Sequence, residues 1–238
     1  MSVTTTRPAK LTSRGRVTRE RIVAAAAELM FKDGVAGTTL EDVKEAAGVS
    51  SSQIYHYFAD KKALVLAVID YQTETIVGGQ QPMFDRLDTL DGLRAWRDFL
   101  VEHQRQLQCV GGCPIGSLGS ELAEIDDRAR ATVAATFDRW EAGIRTGLHQ
   151  MHERGELTSD PDDLAIATLA ALQGGLLLTQ MQRSTRPLEK SLDAVIAHIQ
   201  FCTAPSGHNP HSRRRRPPRT PRQPALGHVV AKPAAPPA

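Results

Sequence analysis

Aromatic residues make up only 5% of this 238-residue chain, and there are just three cysteines. Sparse aromatics beside abundant Ala and Leu point away from a strand-rich core and toward an all-α class. An odd number of cysteines excludes a closed disulfide framework. With no secretory apolar core near the N-terminus, a reducing cytoplasm is the expected location. Strand alternation and internal repeats are absent, as is any phosphate-cradling glycine motif. The run Ile115-Gly116-Ser117-Leu118-Gly119 lacks the first glycine of a hydrolase elbow, and no strand precedes it. His149, His152 and Glu153 stand at helical spacing, but no further ligand cluster joins them, so they read as a solvated face and no metal is expected. Uncharged residues run from Leu164 to Gln182, long enough to span a bilayer. Because that run carries Gln173, Gln180, Gln182 and the pair Gly174-Gly175, it reads as a buried bundle or interface helix, with no membrane partner. Hydrophobic residues at 41% and charged residues at 24% suit a globular chain of one or two domains.

What is there is unevenly distributed. The net charge is +2 overall. Residues 1–62 hold 10 basic and 7 acidic side chains, residues 63–202 hold 12 and 20, and residues 203–238 hold 7 and none. The acidic middle repels phosphate and the two ends attract it, so a nucleic acid would bind at the ends. Residues 1–17, with Arg7, Lys10, Arg14 and Arg16 and no acid, read as a flexible basic arm. Residues 203–238 contain 9 of the 14 prolines and the run Arg213 to Arg216, and read as a disordered basic tail.

Between these ends the spacing predicts helices. Thr18 is the expected N-cap of the first, with Ile22, Ala25, Ala26, Leu29 and Met30 on one face and Gly34 at its end. Thr39 caps a second helix that Gly48 stops. Ser50 opens a third, and Gln53 three residues on completes a capping box. Asp60 caps a fourth. Residues 91–107 place Leu93, Trp96, Phe99, Leu100, His103 and Leu107 on a stripe. A break at Gly111-Gly112-Cys113-Pro114 precedes a short helix ending near Ile125. Helices are also expected over 127–154, 161–183 and 187–202.

The informative segment runs from Thr39 to Leu64. Two short helices meet at a tight turn, Gly48-Val49-Ser50, and Val43, Ala47, Val49 and Ile54 are spaced to lock them together. This is helix-turn-helix geometry, whose second helix enters the major groove. Ser51, Ser52 and Gln53 at the start of that helix are placed to meet base edges, Gln53 as a bidentate partner of adenine. Tyr55 and His56 suit phosphate contacts, and Lys61 at the next helix start can hold a phosphate with the backbone amides there; Thr39 and Ser50 complete the expected DNA-binding set.

The block from Thr18 to Leu66 resembles the DNA-binding domain of TetR/AcrR-family transcriptional regulators. The matching signs are Gly34 with Thr38-Thr39, Ala46-Ala47-Gly48-Val49-Ser50, Ile54-Tyr55-His56-Tyr57-Phe58, and Lys61 with Leu64. Lys44 departs from the pattern, which usually has Ala there. The resemblance implies an all-α protein of about nine helices. Residues 18–62 would be the helix-turn-helix domain and residues 63–202 the ligand-binding and dimerisation domain. It implies a repressor that binds a palindromic double-stranded operator as a homodimer, paired through 161–183 and 187–202, and that is released by a small-molecule effector.

Candidate walls for that effector are Trp96, Phe99, His103, Cys113, Leu122, Phe137, Trp140, Ile144, Gln173 and Leu177; no cofactor is expected. Pro114 at a first helical turn makes Cys113 an N-cap, where the helix dipole favours thiolate. A Gly-Cys segment at this position is similar to that of a TetR subset, some of whose members sense electrophiles or oxidants through the cysteine, with Cys109 as a candidate resolving thiol. Two alternatives follow: an electrophile-sensing repressor acting through Cys113, or a helical small-molecule-binding protein or enzyme with no operator.

Overall fold

Thr12, not Thr18, starts the first helix. Its hydroxyl accepts the Gly15 amide at 3.1 Å, and Thr18 instead lies inside the helix, donating to the Arg14 carbonyl. The computed structural model describes residues 11–203, so Arg7, Lys10 and the basic tail lie outside the described residues. Of the expected arm, residues 13–17 are therefore helical. A tertiary contact explains the extension: a Cβ at Gly15 would stand 3.5 Å from the Tyr57 hydroxyl, so the first turn of this helix abuts the end of the third.

Nine helices follow one another among the described residues: α1 (Ser13–Gly37), α2 (Leu40–Ala47), α3 (Ser51–Tyr57), α4 (Lys61–Gln72), α5 (Leu90–Gln106), α6 (Pro114–Leu122), α7 (Asp127–Glu153), α8 (Pro161–Gln182) and α9 (Arg186–Phe201). Turns of irregular pitch, Thr73–Val77 and Gly78–Gln80, and one further α-helical turn, Gln81–Phe84, continue α4. The only extended pairing among the described residues is a single antiparallel bridge between Leu157 and Thr203. α1 turns sharply at Gly34, whose φ of 77° lies in the left-handed region that glycine reaches without strain. One further turn, to Gly37, follows the kink.

The core is continuous from head to base. Ile22, Ala26 and Met30 of α1 are buried in the same apolar cluster as Leu64 and Val68 of α4, Leu118 of α6, Trp140 of α7 and Leu172 of α8. α8 and α9 pack closely. A Cβ at Gly175 would come within 2.9 Å of the Leu188 Cα, so glycine is required where the two helices cross. Gly174 has open space around it, so of the expected glycine pair only Gly175 serves packing. α8 is long and apolar enough to cross a bilayer by length and composition, but Leu164, Leu169, Leu172 and Leu176 are buried within the protein.

The apolar stripe of α5 is rotated from the expected one. Leu93, Trp96, Leu100, Val101 and Gln104 are buried, whereas Phe99, His103 and Leu107 are exposed or nearly so. Steps of four from Trp96 reach Leu100 and then Gln104. Hydrophobicity alone selects Phe99 and Leu107, but the geometry of the helix brings an amide inward instead.

Candidate nucleic-acid interface and effector cavities

The α2–α3 unit is fixed by its caps. Thr39 accepts the Asp42 amide while the Asp42 carboxylate accepts the Thr39 amide at 2.8 Å, a reciprocal capping box. These Thr39 hydrogen bonds hold the Asp42 carboxyl below its ordinary range, and the nearby Lys61 ammonium assists. Gly48 ends α2 in the left-handed conformation, with φ 59° and ψ 46°. Ser50 then caps α3. Its hydroxyl accepts the Gln53 amide, and Gln53 Oε1 accepts the Ser50 amide at 2.8 Å. Lys44 lies against Glu41 as an ion pair, which accommodates a lysine where the helices pack.

This frame turns one face of α3 outward. Ile54 is buried, and Phe58 beyond the helix end is buried too, with the Arg19 guanidinium 5.2 Å from its ring centroid. Ser51, Ser52, Gln53, Tyr55 and His56 are exposed, Tyr55 at 61%. Ser50 and Thr39 are exposed at the adjoining helix starts, and Lys61 is half-buried at the start of α4 behind its cap, Asp60. All eight residues expected to meet DNA are thus at least partly exposed, within or next to α2 and α3. One expectation changes. A bidentate adenine contact needs both Gln53 Oε1 and Nε2, but Oε1 already accepts from the Ser50 amide at 2.8 Å and from the Ser50 hydroxyl at 3.2 Å, which occupy both its lone pairs. With the cap closed, only the amide nitrogen is available to a base.

Behind the head, the expected effector residues separate into two cavities. The larger, about 900 Å³, lies among α6, α7 and α8, and Cys113, Phe137, Gln173 and Leu177 stand on its wall. The smaller, about 290 Å³, has Phe99, His103, Trp140 and again Cys113. Trp96, Ile144 and Leu122 face neither cavity. They are core residues, and the Trp96 indole N–H is satisfied by Gln80 Oε1 at 2.8 Å. His103 is exposed and stacks on Phe99 at 6.3 Å between ring centroids.

Cys113 does cap α6, with its sulfur accepting the Gly116 amide at 3.4 Å. The thiolate expectation is overturned all the same. Burial pushes the Cys113 thiol up, and this outweighs the Gly116 and Ile115 amides and the nearby Gln173 side chain that pull it down. Removing solvent from a thiolate costs more than two weak amide contacts to sulfur return. Cys109 is buried as well, and all three cysteines are free thiols. His149 is occupied by Asp162 and His152 by the Leu157 carbonyl, and the described residues contain no group of three or more metal-ligating side chains.

Two residues that sequence reasoning passed over tie these parts together. Glu121 of α6 accepts the Val35 amide at 2.8 Å and the Ala36 amide at 2.6 Å, just past the Gly34 kink. Ser117 and Ser120 of the same helix line the larger cavity. The helix that walls the cavity therefore holds the end of α1. Lys62 of α4 adds a second tie, to Asp126, the N-cap of α7, at 3.5 Å. The periodicity of α6 marks Glu121 as a surface charge; only the tertiary approach of α1 gives it partners.

Residues 22–68 match the sequence profile described as bacterial regulatory proteins, tetR family, and residues 89–193 match that of the transcriptional regulator LmrA/YxaF-like C-terminal domain. Among curated relatives, an HTH-type transcriptional regulator in the lacX 3'region of Lactococcus lactis subsp. lactis is 28% identical over 183 residues, covering 75% of this chain and 91% of that protein. The HTH-type transcriptional repressor DhaR of Mycobacterium sp. (strain GP1) is 25% identical over 195 residues, covering 74% and 89%. Among solved structures, a TetR transcriptional regulator from Chloroflexus aurantiacus J-10-FL superposes with a TM-score of 0.69 at 30% identity, covering 81% of this chain and 98% of that one.

Proposed function

This chain belongs to the TetR family of helix-turn-helix transcriptional regulators, and from that premise we propose that it is a cytoplasmic, homodimeric repressor released from its operator by a small molecule bound in the larger cavity. The carrying observation is the Glu121 link. α6 forms one wall of the cavity and, through two hydrogen bonds, holds the α1 end of the DNA-binding head. A ligand that shifts α6 shifts the head, and release requires only that the ligand bind the shifted state more tightly. The wall is mostly apolar, with Phe137, Leu169 and Leu177, and has Arg130 as its one charged member. That lining suits a largely apolar effector. Gln173, on the same wall, is one of the few polar side chains it would meet.

Dimerisation through α8 and α9 is supported by apolar side chains left open on α8. Leu178 and Met181, which line neither cavity, are about half exposed or more, at 48% and 63%. A face of this kind is normally covered by a partner. In a dimer each α3 would read one half-site, with centres roughly 34–36 Å apart.

The test is selection of genomic duplexes by the full chain, followed by anisotropy titration of the enriched sequence and of random DNA across a salt series. The expected result is an inverted-repeat site bound by two chains, tighter than random DNA by at least about a thousandfold. Equal affinity for both duplexes at every salt concentration would reject the repressor reading. The thiol-sensing alternative is not favoured, because Cys113 is buried and its thiol is pushed up.

A further inference from the structure

The cap of α3 decides which hydrogen-bonding groups Gln53 shows to DNA. Its side-chain amide meets the Ser50 backbone N–H at 2.8 Å, and an N–H only donates, so the atom on that side is the oxygen. Oε1 carries no proton, so the Ser50 hydroxyl, 3.2 Å away, spends its single proton there. The 2.9 Å contact between the Ser50 and Ser52 hydroxyls must then run from Ser52. The Ser50 oxygen thus accepts from Ser52 and from the Gln53 backbone amide, and both its lone pairs are used. All three residues are exposed. Of the three side chains only Gln53 Nε2 keeps protons to give, two of them, and it donates to no group among the described residues.

We propose that Gln53 reads a guanine in each operator half-site, through Nε2 alone. In the major groove only guanine sets two acceptors side by side, O6 and N7, where one NH2 group can place both its protons. Adenine puts its N6 amino group beside N7, so a donor would face a donor. Thymine offers O4 alone, and cytosine only a donor. Turning the Gln53 amide over to serve adenine would break both bonds from Ser50 and set Nε2 against the Ser50 N–H. The cap therefore selects the base by fixing the polarity of the side chain that meets it. This assignment rests on the repressor reading, with α3 in the major groove, and adds which base that helix selects.

The test starts from the operator that the full chain selects out of a randomised duplex pool. Each operator guanine is replaced in turn by 7-deazaguanine, which lacks N7 but keeps its Watson–Crick edge, and affinity is read by anisotropy. One guanine per half-site is expected at which the native chain loses about fivefold. Gln53→Ala and Gln53→Glu are expected to lose nothing at that position. The alanine also gives up half of the cap, so the glutamate variant is the decisive one. One of its oxygens keeps the cap, and the other accepts, which suits the N4 amino group of cytosine. Inverting that G·C pair should cost the native chain about tenfold or more. The glutamate variant, weaker on every duplex, should instead prefer the inverted pair. No guanine sensitive to the loss of N7, a sensitivity that survives Gln53→Glu, or Gln53 variants that relax discrimination only at an A·T pair would each overturn the assignment while leaving the selected operator, and the repressor reading, intact. A pool from which no sequence is enriched would refute both.

Discussion

Replacing Glu121 by alanine removes the two hydrogen bonds that join α6 to the end of α1. Both run from a backbone amide to a carboxylate, a class worth about 1.5–3 kcal/mol each when both ends are buried. Val35 is buried and keeps most of that loss, because water cannot reach its amide. Ala36 is exposed and recovers a water partner. The net destabilisation is therefore about 2 kcal/mol, which for a domain of this size lowers Tm by roughly 4–8 °C. Glu121→Gln retains one acceptor oxygen but turns its amide group toward a second N–H, so its loss should fall near half of that, about 1 kcal/mol. Denaturant unfolding followed by circular dichroism measures both variants. Hydrogen exchange over residues 34–38 then locates the effect, with faster exchange there than in the core of α4. An alanine variant that unfolds at the native denaturant midpoint, with unchanged exchange in this segment, would refute the claim that Glu121 fastens the head.

Three further outcomes are expected. Gly48→Ala should cost about 1 kcal/mol in denaturant unfolding, because its φ of 59° strains an alanine although nothing lies within 4 Å of the added carbon; Gly48→Asn should cost less. Gln53→Glu should preserve the cap on α3, and so the stability, while weakening affinity for every duplex in anisotropy titrations, whereas Lys61→Ala should weaken all duplexes alike and flatten the salt dependence by about one unit of slope. Stability should also depend on acid. Asp42 and Asp126 are held below their ordinary 3.8, Asp42 chiefly by the Thr39 side chain and Asp126 chiefly by the Ala129 amide. Glu74, Glu156 and Glu189 are held below 4.5, chiefly by Arg139, Arg154 and Thr185 respectively. Each lowered carboxyl contributes stability that is present above its unfolded pKa and lost as pH falls through its folded one. Unfolding midpoints are thus expected to be flat above about pH 5.5 and to fall below about pH 4.5, less steeply in Asp126→Asn.

What lay within reach of the sequence was whatever depends on neighbours a few residues apart. Thr39, Gly48, Ser50, Gln53 and Asp60 announce the caps and turn of the head, because a cap closes over three or four residues of chain. Hence the helix-turn-helix and the outward face of Ser51 to His56 were legible, as was the all-helical class. The rest required distant segments to meet. Gln104 is a polar residue on the buried face of α5, and Glu121 finds the amides of α1 across 85 residues. Cys113 holds the cap position its sequence predicts, yet it is buried by other helices, and burial sets the direction of its pKa. Local hydrogen bonding is encoded in order along the chain. Desolvation, cavity shape and contacts between helices depend on which surfaces close over one another, and only the folded arrangement decides that.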